Sequence, residues 1–153
     1  MKTKFTKFSK TDAHVMQKWA SFFHAGDAWL ASLQVLEDGK DQIGWGIFYV
    51  KPWVVAFCLE LYVKAIASHA DNFFNGGDYR HGVTEILKKY FSISFFGEIL
   101  KDDELMILIR EYEKTIDTKY GETYVSINGD DQQKIIDLVY KLREEISSRT
   151  GLR

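Results

Sequence analysis

The stretch "FCLELYVKA", residues 57 to 65, decides the fold because its apolar residues cover every side of a helix. A helix that is apolar all round, rather than along one stripe, belongs in a protein core. Glu60 and Lys64 interrupt the stretch one helical turn apart. Such a pair contributes only a few tenths of a kcal/mol when it is exposed, whereas an isolated buried carboxylate is costly. The sequence therefore predicts either a solvated ion pair or a buried one in which Glu60 has a further partner.

Composition bounds the class of protein. A chain of 153 residues suits one domain, and 46% hydrophobic with 15% aromatic residues is too apolar for a disordered chain. The formal net charge of -2 gives no global attraction to nucleic acid or to anionic lipid. Binding of nucleic acid, if it occurs, must therefore be local.

Three features indicate a cytoplasmic protein without a membrane partner. The single cysteine, Cys58, has no internal disulfide partner and is flanked by apolar residues, which favours a reducing compartment. Residues 1–10 carry lysines but no apolar run, so they predict a flexible arm rather than a secretory signal. The longest apolar region is interrupted by Lys51, Pro52, Glu60 and Lys64, so it predicts no membrane span.

Apolar spacing predicts an all-α fold: one antiparallel bundle of about five helices over residues 11–150. Gly26 lies in the apolar face of the first helix, which indicates close approach by another helix. Pro52 suits the first turn of the central helix. Four of the predicted helices cover about residues 11–36, 51–69, 82–91 and 101–116, and the last follows the turn signal "NGD", residues 128–130, with its apolar face running from Ile135 to Ile146.

Two further stretches have their own interpretations. Residues 37–46 contain three glycines and predict a loop. Residues 91–100, "FSISFFGEIL", could alternate as a strand, but no partner strand is evident in the sequence, so they are interpreted as irregular or helical packing.

The sequence contains no motif that is typical of a metal or cofactor site. His14, His24, His69 and His81 are scattered, and one cysteine cannot supply paired thiolates. The stretch "GGDYRHG", residues 76–82, lacks the lysine and Ser/Thr of a phosphate-binding loop. Cys58 within an apolar helix is predicted to be inert. The sequence therefore predicts no metal and no cofactor.

Glu60, Lys64, Arg80 and His81 are the candidate site residues. After a short loop, the chain must return past the central helix at Arg80 and His81, so these two are the candidate partners of Glu60. One interpretation is a structural lock between helix and turn. The other is a ligand-binding or catalytic site, in which His81 would act with Glu60 and Arg80.

The segment 56–90 resembles the HEPN family (higher eukaryotes and prokaryotes nucleotide-binding). One motif is "CLELYVKA", residues 58–65, and the second is "RHGVTEIL", residues 80–87. Arg80 stands where the family has glycine, and Gly82 where it has aspartate. The resemblance implies a helical bundle, a homodimer, and a role beside a nucleotidyltransferase, in a toxin–antitoxin pair or in RNA processing.

Ribonuclease members of that family carry an arginine followed a few residues later by a histidine, and they cut RNA without metal. Here Arg80 and His81 are adjacent, and no histidine follows Arg110 or the later arginines. We therefore expect a non-catalytic member that binds a nucleotide, an RNA or a partner protein. The alternatives are a divergent ribonuclease using His81 and an unrelated helical module with a structural role.

Overall fold

The structure, a computed structural model, describes residues 18–117 and 129–152. Regular structure in these ranges is helical throughout, which confirms the predicted all-α bundle. A four-residue helix, α2 (Lys40–Ile43), accompanies six longer ones. The predicted arm at residues 1–10 lies outside the described residues. The longer helices are α1 (Lys18–Asp38), α3 (Ile47–Ala70), α4 (Val83–Lys89), α5 (Ser94–Lys101), α6 (Asp103–Asp117) and α7 (Gly129–Thr150).

Helix α3 is the centre of the bundle. It packs against α1, α4, α6 and α7. Its apolar residues on all sides are buried, among them Val55, Cys58, Val63 and Ile66. The helix that is apolar all round is therefore the core helix, as its pattern predicts.

Helices α1 and α3 form an antiparallel hairpin. As residue numbers rise along α1, the numbers of their neighbours on α3 fall, which fixes the opposite direction of the two helices. The neighbours are Trp19 and His69, Gly26 and Tyr62, Trp29 and Phe57, and Glu37 and Lys51.

The prediction of a loop over residues 37–46 is wrong, because most of these residues are helical. After α2, Gly44 takes a φ of 61°, which glycine adopts without strain, and a 3-10 turn over Gly44–Gly46 leads directly into α3. Helix α3 therefore begins at Ile47, and Pro52 lies in its second turn rather than its first. An interior proline costs about 3 kcal/mol, which the extensive burial of α3 offsets.

The ambiguous stretch 91–100 is helical over most of its length. Helix α5 buries Phe96 and Ile99 on one face and leaves Glu98 exposed. Next, Asp102 accepts a hydrogen bond from the backbone N–H of Leu105 at 3.0 Å, which caps the start of α6. The predicted fourth helix, 101–116, is thus α6.

The segment Lys40–Ala70 is long and apolar enough to cross a membrane, as judged by length and composition alone. Half of its most apolar window is buried inside the bundle. A core helix of a soluble protein has the same properties, so this feature is weak evidence for a membrane span, and the predicted absence of a membrane partner stays a prediction.

Gly26→Ala tests the close approach of α1 to α3. A Cβ at this position would lie 2.8 Å from Cε1 of Tyr62, a buried ring whose hydroxyl donates to Asp27 at 2.6 Å and is therefore held in place. Overpacking costs about 1–3 kcal/mol and should exceed the gain of about 1 kcal/mol in helix propensity. We expect a lower free energy of unfolding in denaturant titrations.

Gly129→Ala is the matched control, because a Cβ there meets nothing within 4 Å. Its free energy of unfolding should stay within about 0.5 kcal/mol of the parent chain. Equal stability of the Gly26→Ala variant and the parent would contradict the close helix packing.

Candidate functional site

Glu60 and Lys64 form a buried ion pair on α3. Their side chains are 7% and 9% exposed, and the Lys64 ammonium donates to Glu60 Oε1 at 2.5 Å. The solvated pair that the sequence left open is therefore excluded. A buried pair of this kind is stable only when further hydrogen bonds satisfy the remaining donors and acceptors.

The turn before α4 supplies those further partners. His81 Nδ1 lies 3.0 Å from Glu60 Oε2, and the Lys64 ammonium also donates to the backbone carbonyl of Arg80 at 2.7 Å. The expectation that His81 partners Glu60 is confirmed. Arg80, the other candidate partner, contributes its backbone carbonyl oxygen to Lys64 rather than its guanidinium to Glu60.

The backbone of this turn is strained at Arg80. The N–H of Gly82 donates to the Tyr79 carbonyl at 2.6 Å and closes a four-residue turn. Arg80 has φ 43° and ψ -108°, and it is the one non-glycine residue with positive φ in the described part of the chain. Such angles suit glycine at the second position of a type II′ turn. Another residue type there costs about 1–3 kcal/mol.

The loop that leads into the turn packs tightly on α1. Asn75 accepts a hydrogen bond from the N–H of Gly77 at 3.2 Å. A Cβ at Gly76 would lie 2.8 Å from Cζ of Phe22, so this glycine permits the contact between loop and helix. Phe74 is buried and stacks on Tyr79 with ring centroids 5.4 Å apart. The loop is therefore an ordered wall of the site.

A cleft of about 560 Å³ lies between α1, α3 and this loop. It is lined by all four predicted residues, Glu60, Lys64, Arg80 and His81. Helix α1 adds Lys18 and Phe22, which sequence reasoning missed. Neither residue belongs to a motif, and only the packing of α1 against the loop brings them to the cleft.

The charges that line the cleft are unbalanced. Lys18, Lys64 and Arg80 face one carboxylate, Glu60, and both of its oxygens are already engaged. The Arg80 side chain is exposed and makes no hydrogen bond or ion pair with a described residue. His81 is 42% exposed, and its second ring nitrogen has no described partner. The cleft therefore offers donors and positive charge to an anion.

A second polar cluster, which sequence reasoning also missed, joins α1, α3 and α7. Asp27 accepts from the Tyr62 hydroxyl at 2.6 Å and from Nε and Nη2 of Arg143 at 2.8 and 3.0 Å. Burial, and then the hydrogen bond to Asp27, raise the pKa of Tyr62 well above its ordinary value. These three groups satisfy one another, which marks a structural cluster.

Cys58 lies close to this cluster. Burial first, and then the negative charge of Asp27, raise the pKa of the Cys58 thiol to about 12. Because the thiolate is the reactive form, this cysteine is not a candidate nucleophile. Among the described residues, no group of three His, Cys, Asp or Glu side chains is placed to hold a metal ion.

Glu60→Ala tests the buried lock. The change leaves the Lys64 ammonium buried without its carboxylate, so the free energy of unfolding should fall by about 2–4 kcal/mol. Glu60→Gln keeps the shape of the side chain and one acceptor oxygen, so the free energy of unfolding should fall clearly less. Glu98→Ala is the control, since its pair with Lys101 is 71% and 75% exposed and should contribute little. Neutral denaturant melts for both Glu60 variants would refute the lock.

The chain has no match among protein-family models, curated proteins or solved structures. The resemblance to the HEPN family stays a prediction from residues 58–65 and 80–87. In the structure these two segments lie against each other, because Glu60 and Lys64 bind His81 and the Arg80 carbonyl. The two motifs thus form one site in space.

Proposed function

We propose that this protein is a non-catalytic, HEPN-like binding protein whose ligand is a nucleotide or an RNA. The cleft is the observation that carries the proposal. Its volume of about 560 Å³ suits a small organic molecule, since such sites span about 300–1,000 Å³. Phe22 gives it an apolar wall, and Lys18 and Arg80 give it positive charge. An anionic ligand with a flat apolar part fits this combination.

The net charge of the chain favours a local contact with RNA over an extended one. The whole chain carries a formal charge of -2, whereas proteins that bind nucleic acid along its backbone neutralise many phosphates with basic residues. An RNA ligand would therefore enter the cleft with one nucleotide or one end. This restricts the proposed ligand to a nucleotide or to a nucleotide-sized part of an RNA.

Protein partners are a further part of the proposal. The resemblance supports a homodimer, and a nucleotidyltransferase or an antitoxin as partner, in the cytoplasm. Trp45, Phe48 and Tyr49, near the start of α3, are exposed to solvent. Exposed aromatic side chains grouped in this way favour contact with another protein. The surface supports a protein partner in general, and the identity of that partner rests on the resemblance.

Ligand binding is tested by isothermal titration calorimetry with the ribonucleoside 5′-monophosphates and a short single-stranded RNA. We expect saturable binding to the parent chain. Ser21→Trp places a large side chain at the exposed α1 side of the cleft and should weaken binding at least about tenfold, since it removes space for the ligand. Lys114→Trp, on an exposed position of α6, is the control and should bind normally. Absence of binding to every probe would refute the proposed function.

A metal-independent ribonuclease is the second candidate, and the contact between His81 and Glu60 favours it. A carboxylate at Nδ1 orients an imidazole, and the partly exposed ring could then take a proton from a 2′-hydroxyl. Arg80 would stabilise charge on the phosphate. Against this candidate, Glu60 is shared with Lys64, and the cleft presents no second histidine among its described residues to protonate the leaving group.

We expect no cleavage of single-stranded RNA above background when the purified protein is incubated with a chelator. Cleavage products are resolved on denaturing gels over a time course. Cleavage that disappears in His81→Ala and persists in the control His24→Ala would reverse the order of the two candidates.

A further inference from the structure

Arg80 occupies a backbone conformation that glycine adopts without strain. Its φ of 43° and ψ of -108° place it at the second position of the turn that the hydrogen bond from Gly82 to Tyr79 closes. Strained backbone positions of this kind concentrate at functional sites, and Arg80 lines the cleft.

Within residues 18–117 and 129–152, no side chain or backbone group pairs with the Arg80 guanidinium. Lys64 binds the carbonyl oxygen of Arg80 at 2.7 Å, and Glu60 in turn holds Lys64 at 2.5 Å. A glycine at position 80 would offer the same carbonyl. The guanidinium is exposed, so this strained position presents a charged group that the described contacts of the turn do not require.

The donors left over in the cleft match a compact anion. Lys64 uses two of its three ammonium donors on described acceptors, and Lys18 has one long bond, 3.4 Å, to the Phe74 carbonyl. None of the guanidinium donors of Arg80 is taken by a group in the described part of the chain. A phosphate group accepts hydrogen bonds only and can take two parallel bonds from a guanidinium.

We propose that Arg80, with Lys18 across the cleft, recognises a terminal phosphate, that is, a phosphomonoester. This inference rests on the proposed function, because it names the group through which a nucleotide or RNA end is held. A monoester near neutral pH carries a charge of about -1.5 to -2 and three free oxygens, enough for cations on two walls of the cleft. A bridging diester has a single charge and must leave the cleft on both sides.

The test uses calorimetric titration of the full chain at fixed ionic strength. The probes are the ribonucleoside 5′-monophosphates, their parent nucleosides, their methyl phosphodiesters and inorganic phosphate. We expect each monophosphate that binds to do so at least about tenfold more tightly than its nucleoside and its diester. Binding of inorganic phosphate as tight as that of the nucleotides also supports the inference, and shows that the nucleoside adds nothing.

Variants at position 80 separate the guanidinium from the rest of the cleft. Arg80→Ala should weaken monophosphate binding by about tenfold to a hundredfold and leave nucleoside binding unchanged, because only the charged hydrogen bonds are lost. Arg80→Lys should retain part of the affinity. Arg110→Ala, which removes an exposed arginine of α6, is the control and should bind like the parent.

Arg80→Gly shows whether the fold needs the side chain. Its thermal melt, followed by circular dichroism, should lie above that of Arg80→Ala, because glycine relieves the positive φ that alanine keeps. Its monophosphate affinity should fall as far as that of Arg80→Ala. A lower melting temperature for the glycine variant than for the alanine variant would contradict the strain argument.

The outcomes distinguish this inference from the proposed function. If monophosphates and nucleosides bind equally, or if Arg80→Ala binds monophosphates like the parent, phosphate recognition by Arg80 is wrong and the cleft still binds nucleotides. If no probe binds the parent chain, the proposed function fails and the inference fails with it.

Discussion

The ion pair between Glu60 and Lys64 is the constraint on which the rest of the structure depends. Two charges inside α3, the most apolar of the described helices, are tolerable only if every carboxylate oxygen and most ammonium donors have partners. Helix α3 supplies only the contact between the two charges themselves, so the turn at Arg80 and His81 lies against it and supplies the remaining partners. That requirement positions the loop after α3 and the start of α4, and with them the cleft between α1, α3 and the loop.

Much of this arrangement follows from the sequence, because local pattern decides it. The all-round apolar character of α3 predicts its burial, and Gly26 in an apolar face predicts a close helix contact. The cost of a buried carboxylate predicts a partner for Glu60 at Arg80 or His81, and the structure shows that it is His81. The first two inferences use only residues that are near in sequence, and the third uses the energetic cost of burying a charge. None requires knowledge of how distant helices meet.

The parts that could not be predicted depend on tertiary packing. Lys18 and Phe22 reach the cleft only because Gly76 lets the loop approach α1. Pro52 argues for a helix start when it is read locally, yet the 3-10 turn at Gly44–Gly46 extends the helix past it. The contact of Asp27 with Arg143 joins residues far apart in the chain, and no local pattern encodes it.

Arg143 and Arg80 both lie near buried polar clusters, but their charged groups have different surroundings. Two guanidinium nitrogens of Arg143 donate to the Asp27 carboxylate, so the charge of Arg143 is paired within the fold. Arg80 has its backbone held by a buried lysine and its side chain left to solvent. Because α3 already fixes the turn, a ligand that reaches Arg80 need not order the backbone beneath it. Less entropy is then lost on binding, which makes a strained but well-supported turn a suitable place for an anion-binding arginine.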